Sequence, residues 1–233
     1  MPWPSRRRPG NSGPNVCVAC RNRIDGCDGD GHIARVHWYL ERRALDDAVF
    51  VQVGRLPDEL VPDAAGFDRL WAMHPETFHL IKMHGKDVRT PRWQQAYGAD
   101  YRYTGNTNRA RPVPSELATL HSEIQEHIDR RLNGLLLNWY DAEHGHYIGK
   151  HRDSTINMVS GAPIVTISLG AERVFRIRRW KGDSLVHDIP TGNGTVIVMP
   201  YAVNLAWTHE VPHTAKVIGR RISITARAFE TSS

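Results

Sequence analysis

The chain has 233 residues, of which 40% are hydrophobic and 24% are charged, values that are ordinary for a globular protein. This composition excludes a wholly disordered chain, a coiled coil and a collagen-like rod, and no apolar run approaches the roughly 18–20 residues of a membrane span. The formal net charge is +5, a mild excess that is compatible with nucleic acid as a partner and equally with a solvated basic face.

The N-terminal segment, residues 1–43, is predicted to be a basic and partly disordered extension. It holds eight arginines and four acidic residues, and its first fifteen residues are rich in Pro, Gly, Arg and Ser. The opening sequence MPWPSRRRPGNSGPNV has no apolar core of a secretory signal, which predicts a cytoplasmic protein, or a nuclear one if the source is eukaryotic.

A cluster of soft ligands lies within this extension, at Cys17, Cys20, Cys27 and His32. Four such ligands at short spacing are able to hold a tetrahedral zinc ion. The spacing matches known zinc knuckles imperfectly, so three reduced thiols in a flexible segment stay open as the alternative. An odd number of cysteines argues against a disulfide framework.

Residues 44–233 are predicted to form one mainly β domain with flanking helices. A strand is expected near Val49–Val53, and the clearest helix spans 115–132, with Ser115 as its N-cap and Gly134 after its end. Short strands with glycine-containing turns follow it, which is typical of a β-sandwich or barrel. They are predicted at Leu135–Tyr140, Pro163–Leu169, Arg173–Arg179, Leu185–Ile189, Gly194–Met199 and Arg220–Ala228.

A histidine and an aspartate two residues apart, His151 and Asp153, are the first metal-ligand candidates. On an extended strand such a pair points to one side, and a third ligand completes a 2-His-1-carboxylate site with open positions. The stretch WTHEVPHT offers His209 and His213 as that ligand. It also matches the zinc-peptidase pattern HExxH, but that pattern needs a helix and Pro212 would disrupt one.

The last predicted strand alternates polar with apolar residues. Arg221, Ser223, Thr225 and Arg227 share one of its faces, because side chains on a strand alternate with a period of two. Such a polar face normally meets solvent, but in a region of short strands it is also able to line the mouth of a barrel.

Five motifs follow one another in a fixed order: Asn-x-Tyr, His-x-Asp, Ser-Leu-Gly, Trp-x-His and Arg-x5-Arg. The segments that carry them are LLLNWYDAEHGHYIGKHRDS, GAPIVTISLGAERVFRIR, GNGTVIVMPYAVNLAWTHEVP and GRRISITAR. Together they resemble the AlkB-like iron(II)/2-oxoglutarate-dependent dioxygenases over about residues 80–228. The resemblance implies a double-stranded β-helix (jelly-roll) core and an enzyme that uses Fe(II), O2 and 2-oxoglutarate as cosubstrate.

The resemblance also implies the site residues. Its metal ligands are His151, Asp153 and His209, and His209 is preferred to His213 because it follows Trp207. The implied contacts to 2-oxoglutarate are Asn138, Tyr140, Arg221, Thr225 and Arg227. A guanidinium is suited to this dianion because it grips a carboxylate through two hydrogen bonds.

The reaction implied by the resemblance is oxidative demethylation of alkylated bases in DNA or RNA, with release of succinate, CO2 and formaldehyde. The stretch TPRWQQAYGADYRYTG resembles the substrate lid of repair members of the family. Four aromatic residues of this stretch are candidates to stack on a base, with ordinary packing within the lid as the alternative: Trp93, Tyr97, Tyr101 and Tyr103. Some repair members of the family have an acidic residue one or two places after the metal-binding aspartate. In this chain Ser154 follows Asp153, so Ser154 is expected to contact the base through an uncharged hydroxyl.

Two other functions stay open. One keeps the iron chemistry and makes the chain a hydroxylase or demethylase of a protein, a lipid or a small metabolite. The other is a non-catalytic nucleic-acid-binding module, against which the intact metal set argues. Nucleic acid is the expected partner, with no membrane and no obligate protein partner.

Overall fold

The computed structural model describes residues 38–230, apart from 84, 104–105, 183–184 and 217–218. The predicted zinc ligands Cys17, Cys20, Cys27 and His32 lie outside the described residues, as does most of the predicted extension. The last residues of that extension form strand β1, Tyr39–Ala44. The predicted boundary between residues 43 and 44 therefore falls inside a strand.

The described part of the chain is dominated by strands. In chain order they are β1 (Tyr39–Ala44), β2 (Phe50–Arg55), β3 (Leu80–Met83), β4 (Lys86–Arg89), β5 (Trp93–Tyr97), β6 (Tyr101–Tyr103), β7 (Asn106–Asn108), β8 (Ala110–Arg111), β9 (Gly134–Asp141), β10 (Ile148–His151), β11 (Ile164–Gly170), β12 (Arg173–Arg179), β13 (Val186–Thr191), β14 (Thr195–Met199), β15 (Trp207–Val211) and β16 (Arg220–Arg227). The helices are α1 (Ala64–Ala72), α2 (Ser115–His127) and α3 (Tyr201–Ala206), with a 3-10 turn at Asp58–Leu60. None of the helices in this part of the chain is long and apolar enough to cross a membrane.

Two sheets build the core. The major sheet has the strand order β1-β2-β14-β11-β16-β9-β5-β8, and the minor sheet has the order β10-β15-β12-β13. The inner face of the major sheet, with Ile164 and Ile197, shares one hydrophobic cluster with Phe175 and Ile177 of the minor sheet. These facing sheets confirm the predicted mainly β fold with a jelly-roll core.

The helices α1 and α2 cover the outer face of the major sheet. Leu70 of α1 and Ile124 of α2 lie in the same hydrophobic cluster as Ile222 and Ile224 of β16. The Trp139 indole also donates a hydrogen bond of 2.9 Å to the Leu70 carbonyl. Both faces of β16 are therefore buried, and its polar residues point into the protein rather than into solvent.

The helix predicted over 115–132 is shorter than expected. It ends at His127, and Pro114 rather than Ser115 is its N-cap residue. After its end, the Asp129 carboxylate accepts hydrogen bonds from the backbone N–H and the side chain of Arg131. A side chain that captures a backbone N–H in this way competes with helix continuation.

The predicted strands are confirmed, with ends that differ by at most two residues. The turn from β11 to β12 begins at Gly170, which has a φ of 84°. A side chain there would meet the Arg220 carbonyl at 2.4 Å, so the turn needs a glycine. The HExxH match begins on strand β15 and continues past the end of that strand at Val211, so no part of it lies on a helix, which removes the zinc-peptidase interpretation.

Candidate metal centre and cosubstrate cleft

Three predicted metal ligands come together between β10 and β15. His151 is paired directly with His209 across the two strands, and Asp153 follows two residues after His151. The nearest distances are 3.7 Å from His151 Nε2 and 3.8 Å from His209 Nε2 to Asp153 Oδ1. The ligand atoms of all three lie within 4.8 Å of one another. His213 lies after the end of β15 and packs its ring against Tyr147 instead.

Both histidines are prepared to bind a metal as neutral imidazoles. The Nδ1 atom of His151 lies 2.9 Å from the Gly149 carbonyl, to which it donates, so Nε2 keeps its lone pair toward Asp153. Burial lowers the pKa of His151. Burial, together with the charge of His151, lowers the pKa of His209 to about 3.

The Asp153 carboxylate is held ionised and fixed in place. Its Oδ2 accepts hydrogen bonds of 2.9 and 2.7 Å from Arg227, and its backbone N–H donates to Asn204. Burial alone would raise the pKa of Asp153, but the Arg227 guanidinium and the two histidines outweigh it and hold that pKa far below its usual range. The Tyr101 hydroxyl donates a longer hydrogen bond of 3.4 Å to Oδ1.

The metal ligands line an open cleft of about 860 Å³ between the two sheets. The predicted residues that also line it are Asn138, Tyr140, Thr225, Arg227, Tyr101, Tyr103 and Ser154. The charged residues of its wall, apart from histidines, are Arg89, Arg92, Lys150, Arg152, Arg227 and Asp153. Five cations face one carboxylate, so the cleft is suited to anionic ligands.

The predicted cosubstrate residue Arg221 is buried beneath this cleft. Its Nε donates to Ser168 at 2.8 Å, and its guanidinium carbon lies 5.0 Å from the Tyr140 ring centroid. The Nη1 and Nη2 atoms of Arg221 and the Nη1 atom of Arg227 are buried without a partner. Buried guanidinium donors normally have partners, so these atoms fit the carboxylate of a bound diacid.

The strand that carries both arginines is regular. β16 pairs with β9 without interruption from Arg220 to Arg227, so a bulge does not shorten the separation of Arg221 and Arg227. At about 3.3 Å per residue the two are roughly 20 Å apart along the strand. Arg221 lies beside Tyr140 and Arg227 lies beside Asp153. The two arginines therefore serve different ends of the site.

Asn138 is oriented by Arg92, which is itself held by Gln94, and neither residue was singled out from the sequence. The Arg92 Nε donates to Asn138 Oδ1 at 2.7 Å, and its Nη2 donates to Gln94 at 3.1 Å. With its oxygen occupied, Asn138 has its amide N–H groups left for a ligand in the cleft. Arg92 and Gln94 lie in the lid-like stretch. Side chains alternate between the two faces of a strand, so these two residues lie on the face opposite to Trp93, and this alternation is the sequence signal that would have identified them.

Two predicted stacking residues lie on the wrong face of β5. Gln94 faces the cleft, so Trp93 and Tyr97 point the other way. Trp93 stacks on His74 and Phe78, with ring centroids 4.3 and 5.4 Å apart. Tyr97 is 3% exposed and belongs to the core beneath the helices. The prediction that these two residues stack on a base is therefore wrong.

The other lid residues do reach the cleft. Tyr103 lines it, and its hydroxyl accepts a hydrogen bond from Gln94. Burial raises the pKa of Tyr103 to about 12, so the phenol stays protonated. Tyr101 lies deeper, with its ring 4.7 Å from the Arg227 guanidinium, and its hydroxyl accepts from the Ser154 N–H. Tyr101 therefore supports Asp153 and is not free to stack.

Comparison with known proteins gives one family. The family model of the 2OG-Fe(II) oxygenase superfamily matches residues 65–227. The human DNA oxidative demethylase ALKBH2 is 28% identical over 219 residues, which is 89% of this chain and 82% of that protein. The rat alpha-ketoglutarate-dependent dioxygenase alkB homolog 3 is 31% identical over 59% of this chain and 50% of its own length. The bovine ALKBH2 is 29% identical over 63% of this chain and 56% of that protein.

Proposed function

The chain belongs to the 2OG-Fe(II) oxygenase superfamily as an AlkB-like dioxygenase, and we propose that it oxidatively demethylates alkylated bases in nucleic acid, with DNA as the first candidate. The observation that carries the proposal is the cluster of half-buried His151 with buried Asp153 and His209 at the wall of a cationic cleft. The names of the relatives support methylated DNA as the substrate to test first.

The side chains of the site have separate roles. His151, Asp153 and His209 would hold Fe(II) and leave coordination positions open. Bound iron, with 2-oxoglutarate and dioxygen, supplies the oxidation of a substrate C–H bond, and an N-methyl group oxidised in this way is lost as formaldehyde. Arg221 would bind the distal carboxylate of 2-oxoglutarate, and the amide of Asn138 would orient its other end.

The charge of the cleft favours a polyanion over a lipid or a neutral metabolite. Arg89 and Lys150 are exposed at its wall, and Arg152 is half-buried beside them. Phosphate contacts by such residues position a nucleic-acid strand without reading its sequence. A base turned out of the stack would then enter the cleft past Tyr103.

The test is a substrate screen with two products measured. Methylated single-stranded DNA, double-stranded DNA, RNA and a metabolite pool are incubated with the iron-loaded protein, Fe(II), 2-oxoglutarate and air, and succinate and formaldehyde are quantified. We expect both products in equal amounts with methylated DNA and neither from His209→Ala. Succinate with the metabolite pool alone would instead favour the small-molecule hydroxylase, and no succinate with any substrate would favour the binding module.

The role of Arg89 and Lys150, the exposed rim of the cleft, is tested by the salt dependence of DNA binding. Replacing Arg89 and Lys150 by alanine removes up to two phosphate contacts, so the slope of log affinity against log salt should fall by up to about 2 for DNA. The matched control is Arg130→Ala, an exposed arginine that does not line the cleft. An unchanged slope in the double variant would exclude the rim as a phosphate contact.

The N-terminal extension is proposed to assist affinity rather than chemistry. Removing residues 1–37 keeps β1 intact and takes away six arginines and three acidic residues. Turnover of a short methylated oligonucleotide at saturation should stay the same, and binding should become weaker and less salt-dependent. If the truncation instead unfolds the protein, the segment with Cys17 and His32 is structural, and zinc should be detectable by elemental analysis.

A further inference from the structure

A second arginine lies buried beside the proposed carboxylate site. Arg173 at the start of β12 is 4% exposed, and Arg221 is 1% exposed. Among the described residues no carboxylate interacts electrostatically with either of them. Burial lowers the pKa of Arg221 to about 10, which still leaves the guanidinium charged at neutral pH. Two buried positive charges without a carboxylate are costly, and an anion from outside the protein would compensate them.

The two arginines are linked through a buried hydrogen-bond network. Arg221 Nε donates to Ser168 Oγ at 2.8 Å, and that hydroxyl donates to the Thr191 carbonyl at 3.1 Å. The Thr191 hydroxyl in turn donates to the Arg173 carbonyl at 2.7 Å. Ser168 and Thr191 are each 1% exposed, so the network fixes β11, β12, β13 and β16 around one point.

Both guanidiniums lie around the Tyr140 ring. The guanidinium carbon of Arg221 is 5.0 Å from the ring centroid, and that of Arg173 is 5.9 Å from it. Arg173 Nη2 donates to the carbonyls of His146 and Pro212 at 3.1 and 2.9 Å. Its Nε atom is buried without a partner, as are both Nη atoms of Arg221. Donors of both arginines are therefore unpaired next to the same phenol.

From this arrangement we propose that Arg173 is a specificity-determining residue, whose charge joins that of Arg221 to select a cosubstrate with a second carboxylate. The proposal rests on the proposed function, in which 2-oxoglutarate occupies the cleft. One guanidinium is sufficient to pair with one carboxylate, so the second charge makes the site discriminate strongly against oxo acids that end in a methyl group. Arg173 also ties the segments after β9 and β15 together through the two carbonyls it contacts.

The test compares two oxo acids of equal chain length. Binding of 2-oxoglutarate and of 2-oxopentanoate, which lacks the distal carboxylate, is measured by calorimetry on the Mn(II)-loaded protein without oxygen. The variant Arg173→Gln removes the charge and keeps a polar amide side chain, and Arg173→Lys restores a charge. The matched control is Arg176→Gln, which removes an arginine from the same strand where it forms an exposed ion pair with Asp188.

The expected result is selective. Arg173→Gln should weaken the binding of 2-oxoglutarate on the order of tenfold to a hundredfold, which corresponds to the loss of one charge-assisted contact. The affinity for 2-oxopentanoate should change less than about twofold. Arg173→Lys should recover part of the loss, and Arg176→Gln should match the wild type. An equal loss for both acids, or none for either, would show that Arg173 only ties the two segments together. Failure of the wild type to bind either acid would overturn the proposed function itself.

Discussion

Removing the guanidinium that pairs with the metal-ligand carboxylate should destabilise the metal-free protein strongly. Arg227→Met breaks two hydrogen bonds of 2.9 and 2.7 Å to Asp153, and the two side chains are 4% and 2% exposed. Loss of one partner of a buried ion pair leaves an uncompensated charge and costs about 3–5 kcal/mol. The free energy of unfolding at neutral pH should fall by that amount.

The chain provides a matched control for geometry. Arg176 makes two equally short hydrogen bonds to Asp188, at 2.6 and 2.7 Å, but those side chains are 29% and 44% exposed. Exposed pairs contribute roughly 0–1 kcal/mol, so Arg176→Met should cost no more than that. The two variants therefore separate the effect of burial from the effect of hydrogen-bond geometry.

Urea unfolding of both variants with and without Mn(II) measures these differences. A divalent cation neutralises the charge of Asp153. Saturating Mn(II) should therefore reduce the loss of unfolding free energy caused by Arg227→Met and leave the loss caused by Arg176→Met unchanged. The depressed pKa of Asp153 stabilises the folded state above the unfolded pKa of about 3.9 and ceases to do so as the pH falls. The stability difference between wild type and Arg227→Met should therefore shrink progressively as the pH falls below about 4, and should vanish only near the depressed folded pKa of Asp153. Equal losses in the two variants at neutral pH would refute the reasoning.

Three further outcomes are expected. His209→Ala should abolish Mn(II) binding measured by calorimetry, and His213→Ala should leave it intact, because only the first belongs to the ligand cluster; the reverse order would overturn the assignment. Burial, and then the charge of a neighbouring histidine, lowers the pKa of His146 to about 4, so the folded state resists protonation that the unfolded state accepts below about pH 6.5. Between pH 6.5 and 5, wild-type stability should thus fall by about 2 kcal/mol more than the stability of His146→Gln, in addition to the losses from His151 and His209 that both proteins share, and equal acid slopes in urea titrations of the two proteins would contradict this. Tyr103→Ala should raise KM for a methylated oligonucleotide on the order of tenfold or more through lost stacking without changing 2-oxoglutarate affinity, and an unchanged KM would exclude Tyr103 as a base contact.

The order of the motifs and the alternation of residues in the last strand were readable from the sequence. A period of two places Arg221 and Arg227 on one face of β16 whatever the rest of the fold does. The His-x-Asp spacing similarly brings His151 and Asp153 close together, because local backbone geometry limits how far apart they can be. The jelly-roll core and the choice of His209 over His213 came instead from the resemblance of the five ordered motifs to the AlkB-like family.

The tertiary structure decided which face of each strand meets the cleft. The alternation of side chains along β5 places Trp93 and Tyr97 on one face and Gln94 on the other. It does not say which face meets the cleft, because that depends on the pairing of β5 with β9 and on the helices behind the sheet. The burial of Arg173 likewise arises from packing between distant strands, and in the sequence it is one arginine among several in a basic strand. Sequence fixes relations between neighbours, whereas burial and the pairing of charges depend on contacts between residues that are far apart in the chain.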